Sequence, residues 1–436
     1  MGLAAATSIG VGGMIGAGIF SVIGVAARIT GSGLPWAFLV GGLIALLSVY
    51  SFARLGACYP SAGGPVEFLV RSFGNGVVSG AFNLLLWVGY CFALALYARA
   101  FGGYLAGLFG GAGFWKPLGA TAIVIAFTAI NVAGARTVGR SELVIVGVKV
   151  FILLAFVAIG LCFVEPSRLS LDAAGEGNWL SILQAAVFVF IAYEGFGLIT
   201  NAGDDMREPR RTLPKALYLS VLITLVIYVL IGLTVIGNLA VPEIVEAKDH
   251  ALARAAEPFL GRAGYVAITV AALFSIASAI NATLYGGANV SYMVAHKGHL
   301  PAFFERKVWQ ESKAGLYVTS GVVIVAANLL PLDEIAAVGS ALFLVIYGVV
   351  NLGHLRIRRK TGGKAWWIVA AILSCLAACV LLLVKSWHES PLVVVIFGLM
   401  MGGAFAFEIL FRRFGNHPME TMSQEWSEDE KEDENP

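Results

Sequence analysis

Long apolar runs, separated by short polar segments, fill the chain from residue 3 to about residue 412. A helix needs about 20 apolar residues to cross the hydrocarbon core of a bilayer. The pattern therefore predicts an all-α, polytopic membrane protein with twelve transmembrane helices. The predicted spans are about 3–29, 35–58, 77–109, 117–135, 139–164, 179–202, 213–237, 264–296, 316–331, 333–355, 365–386 and 391–412.

The first predicted span carries an unusual cluster of glycine residues. Five of the ten residues from Gly10 to Ile19 are glycine, and each weakens a helix by about 1 kcal/mol relative to alanine. Unpaired backbone at membrane depth is tolerated only where it is buried in protein or lines a cavity. The cluster thus indicates a helix interrupted in mid-membrane, with free backbone groups for a ligand. Gly12 and Gly16 also form a GxxxG pair, so close helix packing explains this stretch equally well.

The sixth predicted span contains a second interruption, from Phe190 to Gly197, with an acidic residue in its middle. If residues 3–164 (spans one to five) and 179–355 (spans six to ten) form two units, the interrupted spans are the first of each. Five is odd, so the two units would have opposite orientations. Secondary transporters use such inverted repeats and hold substrate between interrupted helices. The pairing favours a binding role for both interruptions, with two extra spans in 365–412.

Composition agrees with a membrane protein, and the placement of charge gives an orientation. Of the 436 residues, 58% are hydrophobic and 13% are charged, which is too apolar for a soluble chain of this length. With the amino terminus in the cytoplasm, 20 of the 29 lysine and arginine residues fall on the cytoplasmic side and 7 on the outer side. By the positive-inside rule, we expect a multi-pass protein of the cell membrane with both termini cytoplasmic. The acidic segment 413–436 is expected to be a disordered cytoplasmic tail.

Lys149 lies inside the fifth predicted span, about eleven residues from its cytoplasmic end. An ammonium at such depth costs about 3 kcal/mol on insertion scales. Burial favours the neutral amine, so a lysine there is a natural proton carrier; a structural charge held by helix carbonyls is the alternative. The position of Arg99, near the outer part of the third span, favours a structural role for its side chain.

Two other polar features lie within predicted spans. Glu194 either titrates in the second interruption or points away from the cavity. Ser275, Ser278 and Asn281 form a stripe on the eighth span, which either makes interhelical hydrogen bonds or meets Lys149.

No enzyme or metal signature accompanies these residues. The five cysteines show no CxxC or Cys/His spacing, and the chain lacks HExxH, Walker A and GxSxG motifs. We expect no cofactor, no metal and no nucleic-acid partner. The loops are too small for an ATPase domain, so uptake would have to draw on an ion gradient.

Four motifs resemble those of the amino acid–polyamine–organocation (APC) transporter family. Gly12–Phe20 resembles the first-helix G-x-x-I-G-x-G-I-F motif, and Pro60–Pro65 resembles the P-x-x-G-G after the second helix. Ala192–Gly197 resembles the sixth-helix block, and Ser291–Pro301 resembles the end of the eighth helix. The likeness covers residues 3 to about 413 and is strongest to archaeal proton-coupled members of broad specificity.

The resemblance implies a LeuT-type fold, a 5+5 inverted repeat with interrupted helices 1 and 6 plus two further helices. It implies that Lys149 stands where sodium-coupled relatives hold sodium, with its ammonium near the Gly12 carbonyl and Ser275. The carboxylate of an amino-acid substrate would meet the N–H groups of Ala17 and Gly18, at a half-helix N-terminus. Its ammonium would meet carbonyls in the two interruptions, those of Met14, Ile191, Ala192 and Glu194, with Tyr193 in the same segment.

The expected function is proton–amino-acid symport by alternating access, with protons and an amino acid as ligands. Two departures from the family pattern leave the specificity open: Glu194 replaces an apolar residue, and Gly197 replaces a frequent aspartate. An amino-acid or polyamine exchanger with Glu194 as counter-charge is the first alternative. A channel or a transport-incompetent sensor is the second. The oligomeric state is not predicted.

Overall fold

The computed structural model describes residues 1–109, 112–133, 138–170, 178–309 and 312–414. These ranges contain seventeen α-helices and one antiparallel pair of short strands, β1 (Lys307–Trp309) and β2 (Ser312–Lys313). The predicted tail beyond residue 414 lies outside them. The helices are α1 (Leu3–Met14), α2 (Ala17–Thr30), α3 (Leu34–Cys58), α4 (Pro65–Phe73), α5 (Val77–Phe109), α6 (Ala112–Ala133), α7 (Val138–Gly160), α8 (Trp179–Val189), α9 (Gly197–Thr200), α10 (Pro209–Asn238), α11 (Val241–Ala247), α12 (Ala251–Arg254), α13 (Glu257–His296), α14 (Ala314–Leu329), α15 (Leu332–Thr361), α16 (Ala365–Glu389) and α17 (Pro391–Phe414).

The helices confirm the prediction of an all-α, multi-pass membrane protein. In the described part of the chain, ten helical segments are long and apolar enough to cross a bilayer. One of them, Gly18–Cys58, holds α2 and α3 and therefore most of two predicted spans. Two shorter apolar helices, α1 and α14, supply the start of span 1 and span 9.

Burial separates the central helices from those that face lipid. In the apolar stretches of span 3 (α5) and of span 6 (Trp179–Thr200), 78% and 89% of the residues are buried. The corresponding share is 17% in both α6 and α17. Every residue in the two interruptions, 10–16 and 190–196, is buried as well. Both interruptions therefore lie in the protein interior, where a bound ligand would be shielded from lipid.

The predicted interruption of the first span is present. α1 ends at Met14 and α2 begins at Ala17, and Gly16 between them has the non-helical angles φ −113° and ψ −125°. A Cβ atom on Gly16 would lie 2.3 Å from the Cβ atom of Ala279 on α13. The glycine is therefore needed for close contact with the eighth span, so packing and interruption occur in the same stretch.

The sixth span is tightened at the predicted interruption rather than unwound. Residues Phe190–Phe196 form a 3₁₀-helix between α8 and α9. A 3₁₀-helix is narrower than an α-helix and its hydrogen bonds have poorer geometry. Its carbonyl groups can therefore accept hydrogen bonds from other helices.

Arg99 makes an interhelical contact of the kind that a structural role would require. Its guanidinium donates a hydrogen bond of 2.8 Å to the carbonyl oxygen of Ala327, in the last turn of α14. Carbonyls in the last turn of a helix lack intrahelical partners and attract cations. Asn281 also makes such a contact, because Asn131 Nδ2 on α6 donates to its Oδ1 at 2.9 Å. The polar stripe on α13 thus includes an interhelical hydrogen bond.

Candidate substrate and coupling site

The backbones of the two interrupted spans touch each other. A Cβ atom on Gly18 would lie 2.7 Å from the Cα atom of Ala192. A Cβ atom on Gly195 would lie 2.5 Å from the carbonyl carbon of Gly13. Both distances are too short for any side chain, so glycine is required for this approach. No gap is left between the two interrupted spans at these contacts, and we call this arrangement the closed structure.

Lys149 reaches the end of the first half-helix. The side chain projects from α7, is 4% exposed, and donates from Nζ to the carbonyl oxygen of Gly12 at 2.8 Å. Gly12 is in the last turn of α1, where carbonyl groups carry the negative end of the helix dipole. The hydrogen bond therefore attaches the fifth span to the end of the first half-helix.

Ser275 on α13 holds the residue that follows α1. Its hydroxyl donates to the carbonyl oxygen of Ile15 at 3.1 Å. The resemblance placed Ser275 beside the lysine ammonium, whereas its described hydrogen bond is to Ile15. Lys149 and Ser275 thus bind two carbonyls of the same interruption, from the fifth and the eighth span.

Tyr228 on α10 links the two interruptions. Its hydroxyl is within hydrogen-bonding distance of the carbonyl oxygens of Met14 and of Ala192, the latter at 3.1 Å. A tyrosine hydroxyl has a single proton and donates to one carbonyl at a time. The resemblance implied that both carbonyls would bind a substrate ammonium, and in this structure both lie next to the Tyr228 hydroxyl.

The rest of the sixth-span interruption is also held by side chains from other helices. Tyr347 on α15 donates to the carbonyl oxygen of Glu194 at 2.8 Å. The N–H group of Ile191 donates to Ser340 Oγ at 3.1 Å. The hydroxyl of Tyr193 points to α3, where it donates to the Phe38 carbonyl at 2.8 Å.

The Glu194 carboxyl group is fully buried between α5 and the sixth span. Its Oε1 accepts a hydrogen bond of 3.3 Å from the hydroxyl of Tyr97. Its Oε2 has no hydrogen-bond partner among the described residues.

Ala17 and Gly18 begin the second half-helix. The first four N–H groups of a helix have no intrahelical partner and carry the positive end of its dipole. These two N–H groups are therefore suited to a carboxylate.

The sequence itself identifies the family. The profile of the amino acid permease family matches residues 1–405, almost the whole chain. The chain belongs to the amino acid permease family. It is therefore a transporter of the APC superfamily, as the sequence motifs predicted.

The permease has relatives in several prokaryotes. It is 41% identical to an uncharacterized protein of Methanocaldococcus jannaschii over 412 residues, 94% of each chain. It is 33% identical to the Escherichia coli inner membrane transport protein YbaT, over 89% of this chain and 91% of YbaT. It is 24% identical to the Bacillus subtilis branched-chain amino acid permease BcaP, over 81% of this chain and 80% of BcaP.

A polar cavity lies on the predicted outer face of the permease. Its volume is about 700 Å³, and residues of α2, α8, α15, α16 and α17 line it. Arg28 of α2 and Asp333 of α15 form an ion pair of 3.1 Å at its wall. This ion pair joins the first and the tenth span at the cavity.

The predicted cytoplasmic face of the permease is held together by charged residues. Glu67 of α4 binds Lys297, just after α13, at 3.0 Å and Arg71 at 2.7 Å. Burial raises the pKa of the Glu67 carboxyl, but the charges and hydrogen bonds of Lys297 and Arg71 together lower it below its usual value. Glu67 is therefore a carboxylate at neutral pH. Nearby, the Asp204 carboxylate accepts a hydrogen bond of 2.8 Å from the N–H group of Ala62, which joins the loop after α9 to the segment before α4.

The tyrosines of the site were not identified from the sequence. Tyr97, Tyr228 and Tyr347 are all buried near the middle of long helices. Tyrosine in membrane proteins is enriched at the two interfaces, with its hydroxyl in the headgroup region. A tyrosine far from either end of a span was the available signal for an internal hydrogen bond.

Proposed function

We propose that the permease is a proton-coupled amino-acid symporter of broad specificity that works by alternating access. The observation that carries the proposal is the hydrogen bond from Lys149 Nζ to the Gly12 carbonyl oxygen, in the protein interior at the end of α1. It places a titratable cation against the helix whose interruption would bind substrate. This bond, rather than a cofactor or a bound metal, would then couple the ion to the substrate.

The protonation state of Lys149 would control the position of α1. A hydrogen bond to a charged group contributes about 1.5–3 kcal/mol, whereas a neutral one contributes about 0.5–1.5 kcal/mol. Loss of the proton therefore weakens the attachment of α1 to α7 and removes the attraction to the helix dipole. Ser275 holds the adjacent Ile15 carbonyl to α13 in either state. The proton on Lys149 would thus stabilise the bundle as sodium does in related carriers.

Backbone groups would recognise the amino acid. Its carboxylate would bind the N–H groups of Ala17 and Gly18, and its ammonium the carbonyls of Met14, Ile191, Ala192 and Glu194. In the closed structure the Tyr228 hydroxyl donates to the carbonyl of Met14 or of Ala192, and the Tyr347 hydroxyl donates to that of Glu194. The substrate ammonium would replace those hydroxyls when the gap opens. All α-amino acids share these two charged groups, so the contacts would leave the side chain free to vary.

The proposed orientation places the permease in the cell membrane with both termini in the cytoplasm. The distribution of lysine and arginine supports this orientation. The 5+5 inverted repeat belongs to the same proposal, since the two interrupted spans are the first helices of residues 3–164 and 179–355. The outer cavity would then be the route by which substrate enters.

Uptake of a panel of radiolabelled amino acids into proteoliposomes tests this function. With an inward proton gradient and no sodium, we expect accumulation of several neutral amino acids, and little accumulation at equal internal and external pH. Counterflow from preloaded vesicles, measured without any gradient, distinguishes exchange. Rapid counterflow combined with no response to the proton gradient would favour an exchanger and contradict symport. Saturable uptake without single-channel current steps would exclude a channel.

A further inference from the structure

Three glutamate side chains are buried in the described part of the chain: Glu67, Glu194 and Glu408. Two of them have cationic partners. Glu67 binds Lys297 and Arg71, and Glu408 Oε1 accepts from Arg412 Nε at 2.6 Å with His299 Nδ1 at 2.9 Å. Glu194 is 0% exposed and differs from both. No lysine, arginine or histidine within the described ranges lies within 4.0 Å of its carboxyl oxygens.

The groups around Glu194 cannot balance a negative charge. The neighbouring titratable groups are tyrosine hydroxyls, from Tyr90 and Tyr97 on α5 and Tyr347 on α15. α1, α2 and α3 contact the segment 190–196 through residues that do not ionise, Gly13, Gly18 and Phe52. α10 contacts the segment through another tyrosine, Tyr228, whose hydroxyl bonds the Ala192 carbonyl and supplies no positive charge.

The two cations that lie in the interior of predicted spans bind other groups. Lys149 donates to Gly12 O, and Arg99 donates to Ala327 O. A carboxylate would therefore be buried with one hydrogen bond, from Tyr97, and without a counter-ion.

Such a charge is expensive, and the neutral acid removes the cost. Burial of an unpaired ion is avoided in proteins by a change of protonation state. A proton on the carboxyl group removes the negative charge and supplies an O–H donor to a site whose neighbours include hydroxyl oxygens that accept hydrogen bonds. Glu408 also has an oxygen without a described partner, but Arg412 balances its charge. Glu194 therefore differs from Glu408 in lacking a cationic partner, whereas both carboxyl groups have one oxygen without a described hydrogen-bond donor.

We infer that Glu194 is a second proton-binding site of the permease, distinct from Lys149, and that it holds a proton while the two interrupted spans are in contact. Its position connects it to that contact, because Gly195 is the next residue and packs on the Gly13 backbone. Opening of the gap exposes the carboxyl group to water, where it can ionise. Closure then takes up a proton at Glu194. The inference goes beyond the proposed function and does not depend on the role of Lys149.

Infrared spectroscopy of the full-length permease in lipid vesicles tests this site without any substrate. A protonated carboxylic acid has a carbonyl band that a carboxylate lacks. We expect this band at neutral pH in the wild type, its loss in Glu194→Gln, and its retention in the matched control Glu408→Gln, whose parent carboxylate is paired with Arg412. Absence of the band from the wild type at neutral pH would overturn the inference, as would its persistence in Glu194→Gln.

A second variant keeps the test decisive if Glu194→Gln does not fold. Tyr97→Phe removes the described donor to Glu194 Oε1. Loss of one hydrogen bond to the carboxylate should move the disappearance of the band to higher pH, by about one unit. An unchanged titration would contradict the assignment to Glu194. If the permease proved not to be a symporter, the expected spectra would be the same. If the band were absent while proton-driven uptake was intact, only the inference about Glu194 would be overturned.

Discussion

The ammonium of Lys149 lies 2.8 Å from the carbonyl oxygen of Gly12, and this bond joins the fifth span to the first half-helix. The next residues of the same segment carry the other contacts of the site. Ile15 O binds Ser275, and Met14 O binds Tyr228. One interrupted segment of the chain therefore connects the proposed coupling group to the proposed substrate groups, over a distance of three residues.

Tyr228→Phe should destabilise the substrate-free permease and strengthen substrate binding. The variant leaves the buried carbonyls of Met14 and Ala192 without their shared donor. A buried acceptor without a partner costs about 1–3 kcal/mol. A substrate ammonium would supply the missing donor, so substrate should raise the Tm of the variant more than that of the wild type.

Thermal unfolding in detergent, with and without substrate, measures both effects of Tyr228→Phe. Tyr285→Phe is the matched control, because Tyr285 is 49% exposed and lies on the same helix as Ser275. A wild-type Tm in the Tyr228 variant, with an unchanged response to substrate, would show that its hydroxyl is not a stand-in for the ammonium.

Gly195→Ala should prevent closure of the gap and reduce uptake. The new Cβ atom would lie 2.5 Å from the Gly13 carbonyl carbon, which is backbone and cannot rotate away. Overpacking of this kind costs about 1–3 kcal/mol, which corresponds to about a 5- to 150-fold smaller population of the closed state.

Initial uptake rates in proteoliposomes at matched protein density measure the effect of Gly195→Ala. Gly321→Ala is the control, since a Cβ atom there meets nothing within 4 Å. Equal rates in the two variants would mean that the contact between the interruptions is not part of the transport cycle.

Much of this fold could be predicted from the sequence, because span length and glycine content are local properties. The twelve apolar runs and the interruption at Gly16 depend on residues within one stretch. The shape of the second interruption does not. Its 3₁₀-helix is held by Ser340 and Tyr347 from α15, more than a hundred residues away, so a local pattern predicted a break but not its geometry.

The candidate site shows the same limit. The depth of Lys149 in an apolar span marks it as unusual from the sequence alone. Its partner Gly12, in contrast, could be predicted only through the resemblance to the family. Tyr228 has no sequence motif around it, and its role depends on the packing of α10 against both interruptions. Pairing between distant helices is decided by tertiary packing, which a single sequence does not reveal.

The ion cluster of Glu67, Lys297 and Arg71 on the predicted cytoplasmic face should make the free energy of unfolding vary with pH in the acid range. The pKa of Glu67 is lowered from its usual value of 4.5 in the folded state. A lowered pKa stabilises the fold above the unfolded pKa, and this contribution is lost as the pH falls through the folded pKa. The stability difference between wild type and Glu67→Gln should therefore be constant from pH 7 to about 5 and shrink below 4.5.

Thermal unfolding of both proteins across this pH range measures the contribution of Glu67. Glu389→Gln is the control, because that carboxylate is 59% exposed and pairs with Lys385 on the predicted outer face. A stability difference that grows on acidification would have the wrong sign for a lowered pKa and would contradict this account of the cluster.

Accumulation of a radiolabelled neutral amino acid in proteoliposomes, driven by an inward proton gradient without sodium, tests the coupling role of Lys149 most directly. The wild type and the control Lys360→Ala should accumulate substrate above the external concentration, because Lys360 is exposed in the last turn of α15, away from the outer cavity and from both interruptions. Lys149→Ala should abolish accumulation, since no titratable group then binds the Gly12 carbonyl. If Lys149→Ala still accumulated substrate in proportion to the proton gradient, the proposed coupling through Lys149 and Gly12 would be wrong.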